Sequence, residues 1–210
     1  MAAEVYLVRH GETEWNAQGR YQGKLDSRLT HRGREQARDA ARHLSQLLAG
    51  RHNVALHISP LGRTRETAEI IRNFVDAAPI HEPRIQEVSI GSWDGLTRAD
   101  IDAGWPGRLS GCNAYDWFFS APDGESYEEA LARVCSWLKE LKNVTIAVSH
   151  GLAGRIIRGA YLGLTRERTL SLPVHQEIIW HLVDRRVEAV ARLADSRTPI
   201  PTHQPSKPIF

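Results

Sequence analysis

The 210-residue sequence has little cysteine and no long apolar run. Its two cysteines, Cys112 and Cys135, lie in different segments without CxxC spacing, which excludes a zinc ribbon and a disulfide framework and favours a reducing compartment. No apolar run approaches the ~20 residues that cross a bilayer. The first residues, MAAEVYLV, also lack the basic and apolar regions of a secretory signal. We therefore expect a cytoplasmic protein that does not act on membranes.

The sequence also lacks a large excess of positive or of negative charge. The formal net charge is +2 and no dense Lys/Arg block is present, so a nucleic-acid partner is not expected. The histidines show neither HExxH nor HxH spacing, which argues against a zinc hydrolase and predicts no metal and no other cofactor. Apolar and charged residues make up 41% and 25% of the chain, as in ordinary globular domains, so we expect one folded domain over residues 1–195.

Short β-type runs alternate with helical patterns, which is typical of an α/β fold with a mostly parallel sheet. An aromatic- and glycine-rich stretch at 89–125 interrupts this rhythm and predicts a small loop or helical cap, and the Pro-rich tail at 196–210 predicts an extended or disordered segment. We predict strands at 5–8, 54–58, 85–88 and 144–150, helices at 30–50, 62–78, 127–142 and 151–162, and an antiparallel edge hairpin of 177–184 with 187–194.

Two of these strands end in the same way. VYLVRHGE and TIAVSHGL both finish an apolar run with His-Gly, at His10 and His150. Ligands of open α/β sheets bind outside the carboxyl ends of the strands, so both imidazoles should meet in one pocket. Arg9 precedes His10, and Arg63 follows the strand at 54–58 on the same edge. Two guanidiniums beside two imidazoles indicate a site for a phosphoryl dianion.

Further groups are expected to complete this pocket. The helix that starts at Gly151 adds backbone N–H donors, and Asn16 in the first loop can donate its amide to a phosphate oxygen. Glu87 lies at the end of the short predicted strand and would bring a carboxylate from the side of the cap. Gln22, with Tyr21, either lines the substrate side or stabilises its loop.

Other side chains have two open interpretations. Arg155, one helical turn beyond His150, either supports the pocket or pairs on the helix face. The cap aromatics either form the core of the cap or cover the substrate; we expect core for most, with Trp117 and Phe118 as the candidates for substrate contact.

The ordered motifs of the chain resemble those of the histidine phosphatase superfamily, also called phosphoglycerate mutase-like, in its branch of small bacterial phosphatases. The resemblance covers nearly all of residues 4–195 and rests on VRHGETEWNAQGRYQG, LTxxGxxQA, SPLGRTRETA, ExxxGxWDG, GES and VSHG. It implies a three-layer α/β/α sandwich and a phosphohistidine mechanism without metal. His10 would attack phosphorus, Glu87 would protonate the leaving group, and Arg9, Arg63, Asn16 and an imidazolium at His150 would hold the phosphate.

The resemblance leaves three functions open. Mutases of the family carry an arginine after the catalytic glutamate, whereas Val88 and Ser89 follow Glu87 here. This difference favours a phosphomonoesterase acting on a small-molecule ester over a cofactor-dependent phosphoglycerate mutase. A non-catalytic phosphate-binding module is disfavoured by the intact set of His10, Glu87 and His150. The substrate stays open, and the edge hairpin suggests a possible homodimer.

Overall fold

The computed structural model describes residues 4–112 and 116–190. Six strands form one mixed sheet in the order β3-β2-β4-β1-β5-β6, in which β3, β2, β4 and β1 are parallel and β5 and β6 are antiparallel to their neighbours. The strands are β1 (Val5–Arg9), β2 (Ala55–Ile58), β3 (Pro79–His81), β4 (Thr145–Ser149), β5 (Ile179–Val183) and β6 (Arg186–Val190).

Helices cover both faces of this sheet. They are α1 (Glu14–Ala17), α2 (His31–Leu47), α3 (Gly62–Arg72), α4 (Arg98–Gly104), α5 (Tyr127–Glu140), α6 (Gly151–Leu162) and α7 (Arg166–Leu170), with 3-10 turns at Pro83–Ile85, Gly91–Trp93 and Asp116–Ser120. No helix within the described ranges is both long and apolar enough to cross a membrane.

Alternation along the central strands explains the three layers. Val5 and Leu7 of β1 point to a core shared with α5 and α6, whereas Tyr6 and Val8 point to a core shared with α2 and α3. A strand with apolar residues at every position is therefore buried on both faces. The predicted α/β/α sandwich with a mostly parallel sheet is confirmed.

The cap has a small core of its own between β3 and α5. Ile90, Trp93, Ile101, Leu109 and Trp117 are buried there against one another, with partly buried aromatics around them. Among the cap aromatics that the structure describes, Trp93 and Trp117 are buried in this core and Trp105 and Phe118 pack against it, so most of these form core, as predicted. Tyr115 lies outside the described residues.

The predicted strand at 85–88 is wrong. Ile85 ends a 3-10 turn and the residues after it are irregular, while the edge strand is Pro79–His81, which pairs with β2. Proline is tolerated at the start of an edge strand because no ladder N–H is needed there. Helix α3 accordingly ends at Arg72, well before the predicted end. The short helices α1 and α7 were not predicted, and the Pro-rich tail lies outside the described residues.

Candidate active site

Three neighbouring strands place the candidate residues at one edge of the sheet. β1 pairs with β4, with Arg9 opposite Ser149, so His10 and His150 follow adjacent strand ends. Their rings meet edge to face with centroids 5.2 Å apart. β4 also pairs with β2, and the chain after β2 enters α3, whose second residue is Arg63. The predicted convergence of these strand ends is confirmed.

The tautomer of His10 follows from one contact. Nδ1 lies 2.8 Å from the carbonyl oxygen of Gly11, and a carbonyl only accepts, so Nδ1 carries the proton and Nε2 keeps its lone pair. Burial, followed by the charges of Arg63 and Arg9, holds the pKa of His10 well below its usual 6.5. The ring is therefore neutral at pH 7 and has a free nucleophilic nitrogen.

Arg63 and His150 form a buried pair behind the nucleophile. The Arg63 side chain is fully buried, and its Nε donates to Nδ1 of His150 at 3.2 Å. Since Nδ1 accepts, Nε2 of His150 carries the proton and donates to Oγ of Ser59 at 2.7 Å. Burial, with Arg63 as the main charge, also holds the pKa of His150 well below 6.5. The imidazolium expected from the resemblance is thus a neutral imidazole in the free protein, because the ring is buried and lies beside Arg63.

The remaining Arg63 contacts go to the loop at 23–26. Its two terminal nitrogens donate to the carbonyl oxygens of Gly23 and Leu25, both at 2.8 Å, and to Oδ1 of Asp26 at 2.7 Å. Neither Arg63 nor His150 lines the cavity described below. In the free protein these two residues form the base of the site.

Glu87 is held by the start of α6. Its carboxylate accepts from the backbone N–H groups of Leu152 (3.1 Å), Ala153 (2.8 Å) and Val88 (2.9 Å). The first backbone N–H groups of a helix have no acceptor within the helix, and here the Glu87 side chain, rather than a ligand, accepts from two of them. The carboxylate is therefore fixed in orientation.

Arg9 is the cation with an unused donor. Its Nε is buried and has no hydrogen-bond partner among the described residues. Burial lowers the pKa of Arg9 to about 10, and the charge of Glu87 opposes this shift, so the group remains charged at pH 7. A buried N–H without an acceptor costs free energy that an anionic ligand oxygen would recover.

A cavity of about 350 Å³ opens above these groups. Six of the eight predicted site residues line it: Arg9, His10, Asn16, Gln22, Glu87 and Gly151. The lining also includes Gly19, Arg20, Tyr21, Val88, Ile90, Phe118, Leu152, Arg155 and Val174. Of the two aromatic candidates, Phe118 lines the cavity, whereas Trp117 is buried in the core of the cap.

The side-chain amides of Asn16 and Gln22 differ in which of their hydrogen-bonding groups are already used within the protein. Oδ1 of Asn16 accepts from the backbone N–H of Thr13 and from Gln176, so its NH₂ group is the end left for the cavity. Gln22 donates to Ser27 at 2.9 Å and accepts from Thr13 at 2.7 Å. Gln22 thus lines the cavity and stabilises its loop at the same time.

Sequence reasoning missed the residues that hold the loop beneath the cavity. Asp94 accepts from the backbone N–H groups of Gly23, Lys24 and Leu25 at 2.7–2.8 Å. Asp26, next along, accepts from Arg63. Asp94 belongs to the WDG motif, which was its only signal, and Arg20 was signalled only by its charge. Arg155, which was considered for its position one helical turn beyond His150, lines the cavity. Within residues 4–112 and 116–190, no cluster of three His, Cys, Asp or Glu residues could hold a metal ion.

This fold and this site define a class of protein: an α/β protein that gathers histidines and arginines around one cavity at the carboxyl edge of its sheet. The family model of the histidine phosphatase superfamily (branch 1) matches residues 5–193, and the chain belongs to this family. Its enzyme class is therefore that of the phosphoric monoester hydrolases, as predicted.

Relatives in sequence and in structure carry different names. The chain is 38% identical over 181 residues to the "Probable phosphoglycerate mutase GpmB" of Enterobacter sp. (strain 638), with 80% of each chain covered. It is 38% identical over 189 residues to the protein of the same name from Photorhabdus laumondii, again with 80% of each covered.

Among solved structures, the mycobacterial glucosyl-3-phosphoglycerate phosphatase Rv2419c is similar, with a TM-score of 0.74, 27% identity and coverage of 90% of this chain and 97% of that one. A putative alpha-ribazole-5'-P phosphatase from Escherichia coli shares the fold, with a TM-score of 0.76, 24% identity and coverage of 91% and 96%.

Proposed function

We propose that the protein is a metal-independent phosphomonoesterase that acts on a small-molecule ester through a phosphohistidine at His10. The observation that carries this proposal is the His10 tautomer, since the Gly11 carbonyl fixes the proton on Nδ1 and leaves the lone pair on Nε2, in a cavity that Arg9 also lines. A neutral, oriented imidazole in a cationic pocket is a nucleophile for phosphorus.

The first step transfers the phosphoryl group. The Glu87 carboxylate takes up one proton as the ester binds. Nε2 of His10 then attacks phosphorus as the bond to the leaving oxygen breaks, and Glu87 gives that oxygen the proton. Arg9, the Asn16 amide and the Gly151 N–H bind phosphoryl oxygens, and the charge of Arg63 acts from beneath. Loss of one such preorganised donor is expected to slow turnover by about 10²–10³-fold.

The second step returns the enzyme to its starting state. Water gives a proton to the Glu87 carboxylate and attacks phosphorus, the bond to Nε2 breaks, and inorganic phosphate leaves while Glu87 releases that proton to solvent. The same carboxylate therefore acts as acid and then as base. The guanidiniums provide the positive charge that metal ions provide in many phosphoryl-transfer enzymes.

The lining of the cavity supports a leaving group with an apolar or ring-bearing part. Tyr21, Ile90 and Phe118 line one cavity with the catalytic residues, and about 350 Å³ suits a small molecule. A substrate of this kind would gain apolar contact without displacing the polar groups that hold the phosphate.

A phosphoglycerate mutase is the second candidate, because the GpmB relatives are named so. The chain around Glu87 favours hydrolysis instead, because the uncharged and buried Val88 follows it. A mutase must keep water from its phosphohistidine until the product is phosphorylated again, and a cation for the substrate carboxylate is expected at that position.

Phosphate release from a panel of phosphomonoesters in excess chelator tests the proposal. The panel includes 4-nitrophenyl phosphate and 3-phosphoglycerate, with His10→Ala as the inactive variant and His52→Ala, an exposed histidine, as its control. We expect turnover to survive chelator, to vanish in His10→Ala and to persist in His52→Ala. Conversion of 3-phosphoglycerate to its 2-isomer without phosphate release would instead support the mutase. Absence of both activities and of any phosphorylated His10 would support a binding module.

A further inference from the structure

Glu87 lies in a segment whose backbone has no strand partner. The carbonyl of Ile85, two residues earlier, accepts from the buried hydroxyl of Ser149 at 2.8 Å. Buried peptide groups need partners, and here side chains take the place of a β-ladder. The position of Glu87 therefore depends on the side chains that hold this segment.

Arg133 of α5 holds the segment from the N-terminal side. One of its terminal nitrogens, Nη1, donates to the carbonyl oxygens of Arg84 at 2.7 Å and Gln86 at 2.9 Å. Gln86 is the residue directly before Glu87. A single guanidinium thus spans the peptide groups that lead into the carboxylate.

Glu125 holds the segment from the C-terminal side. Its backbone N–H donates to the carbonyl of Ser89 at 2.8 Å, and its carboxylate accepts from the Ser89 N–H at 3.3 Å. Ser89 is two residues beyond Glu87. Glu125 is the middle residue of the GES motif, to which neither phosphate binding nor proton transfer assigns a role.

The two holding residues are joined by a two-pronged ion pair. Nε and Nη2 of Arg133 donate to the two carboxylate oxygens of Glu125 at 2.6 and 2.9 Å, and the side chains are only 14% and 15% exposed. The planar guanidinium alone can make this fork and also reach backbone carbonyls with its third nitrogen. A lysine ammonium has no such fixed fork.

We propose that Arg133 and Glu125 are positioning residues that clamp the segment 84–89 and so aim the Glu87 carboxylate at the leaving-group oxygen. The proposal rests on the general-acid role of Glu87 given above. Neither residue lines the cavity. Their effect is therefore expected on proton transfer and not on phosphate binding, and a shift of the carboxylate by about 1 Å would cost up to about 100-fold in that step.

A matched pair of substrates separates positioning from general stability. 4-Nitrophenyl phosphate releases a weakly basic phenolate that needs little protonation, whereas 4-nitrobenzyl phosphate releases a strongly basic alkoxide that needs it. kcat/KM reports steps up to the loss of the leaving group. The ratio of kcat/KM for the two esters, measured on one sample, does not depend on the fraction of enzyme that is folded.

The ratio is measured for the unchanged enzyme and for Arg133→Lys, Glu125→Gln, Glu87→Gln and Arg34→Lys. Arg34→Lys is the matched control, because Arg34 pairs with Glu66 at 2.8 Å, partly buried and outside this segment. We expect Glu87→Gln to raise the aryl-to-benzyl ratio by about 10²–10⁴-fold. Arg133→Lys and Glu125→Gln should each raise it by about 10–100-fold, and Arg34→Lys should leave it unchanged.

Two results would overturn the proposal in different ways. If Glu87→Gln raises the ratio but both clamp variants lower the two rates equally, the pair only stabilises the fold and does not position Glu87. If Glu87→Gln itself leaves the ratio unchanged, Glu87 is not the general acid, and the proposed mechanism fails with the clamp. A raised ratio in either clamp variant, with Arg34→Lys unchanged, supports the clamp even if the other variant does not fold.

Discussion

Acid should destabilise this protein through its two site histidines. His10 and His150 are 3% and 2% exposed, and burial among guanidiniums holds both pKa values well below 6.5 in the folded chain. In the unfolded chain each titrates near ~6.5. Between the folded pKa values and ~6.5, the unfolded state therefore binds protons that the folded state does not.

The sign and size of the effect follow from this difference. Stability rises with pH wherever the unfolded state binds more protons, so the free energy of unfolding must fall as pH drops below ~6.5. Each histidine contributes a slope of up to about 1.4 kcal/mol per pH unit, and the pair up to about 2.7 kcal/mol per pH unit. The pKa values of Glu4 and Glu82 are lowered as well, but these carboxylates act below about pH 4.5 and so outside this window.

Urea unfolding at pH 7, 6 and 5 measures the slope. The double variant His10→Asn, His150→Asn removes both titrating rings, and His52→Asn removes an exposed one as a control. We expect the double variant to lose most of the pH dependence that His52→Asn retains. If the unchanged protein, the double variant and His52→Asn all lose the same free energy of unfolding between pH 7 and pH 5, the reasoning is refuted, whatever their stability at pH 7. His57, whose pKa burial also lowers, accounts for a smaller slope common to all three.

Three further outcomes follow from the geometry. Gly33→Ala should lower the free energy of unfolding, measured in urea, by about 1–3 kcal/mol, because the alanine Cβ would lie 2.0 Å from the carbonyl oxygen of Glu12. Alanine favours helices, so a gain in stability would show that this contact is relieved. Phe118→Ala should raise KM for benzyl and aryl phosphates by roughly 10-fold, the scale of a lost apolar contact, and leave KM for glycerol phosphate nearly unchanged in steady-state assays. An equal change in KM for both kinds of ester would show that Phe118 does not contact the substrate. Sulfate, a dianion that does not itself titrate near pH 7, should cause proton uptake at that pH, seen as a buffer-dependent heat in calorimetry, because a dianion in the cavity favours the charged form of the buried imidazoles; a heat independent of the buffer would exclude this.

The features that could be predicted from the sequence are those whose signals lie within a few residues of one another. β1 and β4 carry uninterrupted apolar runs that end in His-Gly, and both signals lie within a few residues, so the sheet edge and the histidine pair could be predicted. Glu87 could be placed near the pocket from its motif. The strand around it was wrong because Ser149 and Arg133, which are remote in sequence, bond its carbonyl groups.

Long-range polar contacts account for the rest of the site. The position of Arg63 beneath the cavity depends on the loop at 23–26, and that loop is held by Asp94, about 70 residues away in the chain. No periodicity in the sequence reports such a contact. The same holds for Glu125, whose motif was visible but whose bond to Arg133 needs the packed structure.

The charges in the free site are already paired, so a bound phosphate needs further positive charge to compensate it. Arg63 is bonded to Asp26, Arg9 feels the charge of Glu87, and both imidazoles are neutral, so these six groups together carry no net charge before a ligand enters. A dianion in this pocket therefore needs positive charge from outside these six groups, either from Arg20 and Arg155, which also line the cavity, or from a bound proton. His150 can gain a proton only at Nδ1, which already accepts from the Nε–H of Arg63, so protonation must break that hydrogen bond. The imidazolium implied by the family resemblance therefore requires Arg63 and His150 to separate when phosphate arrives.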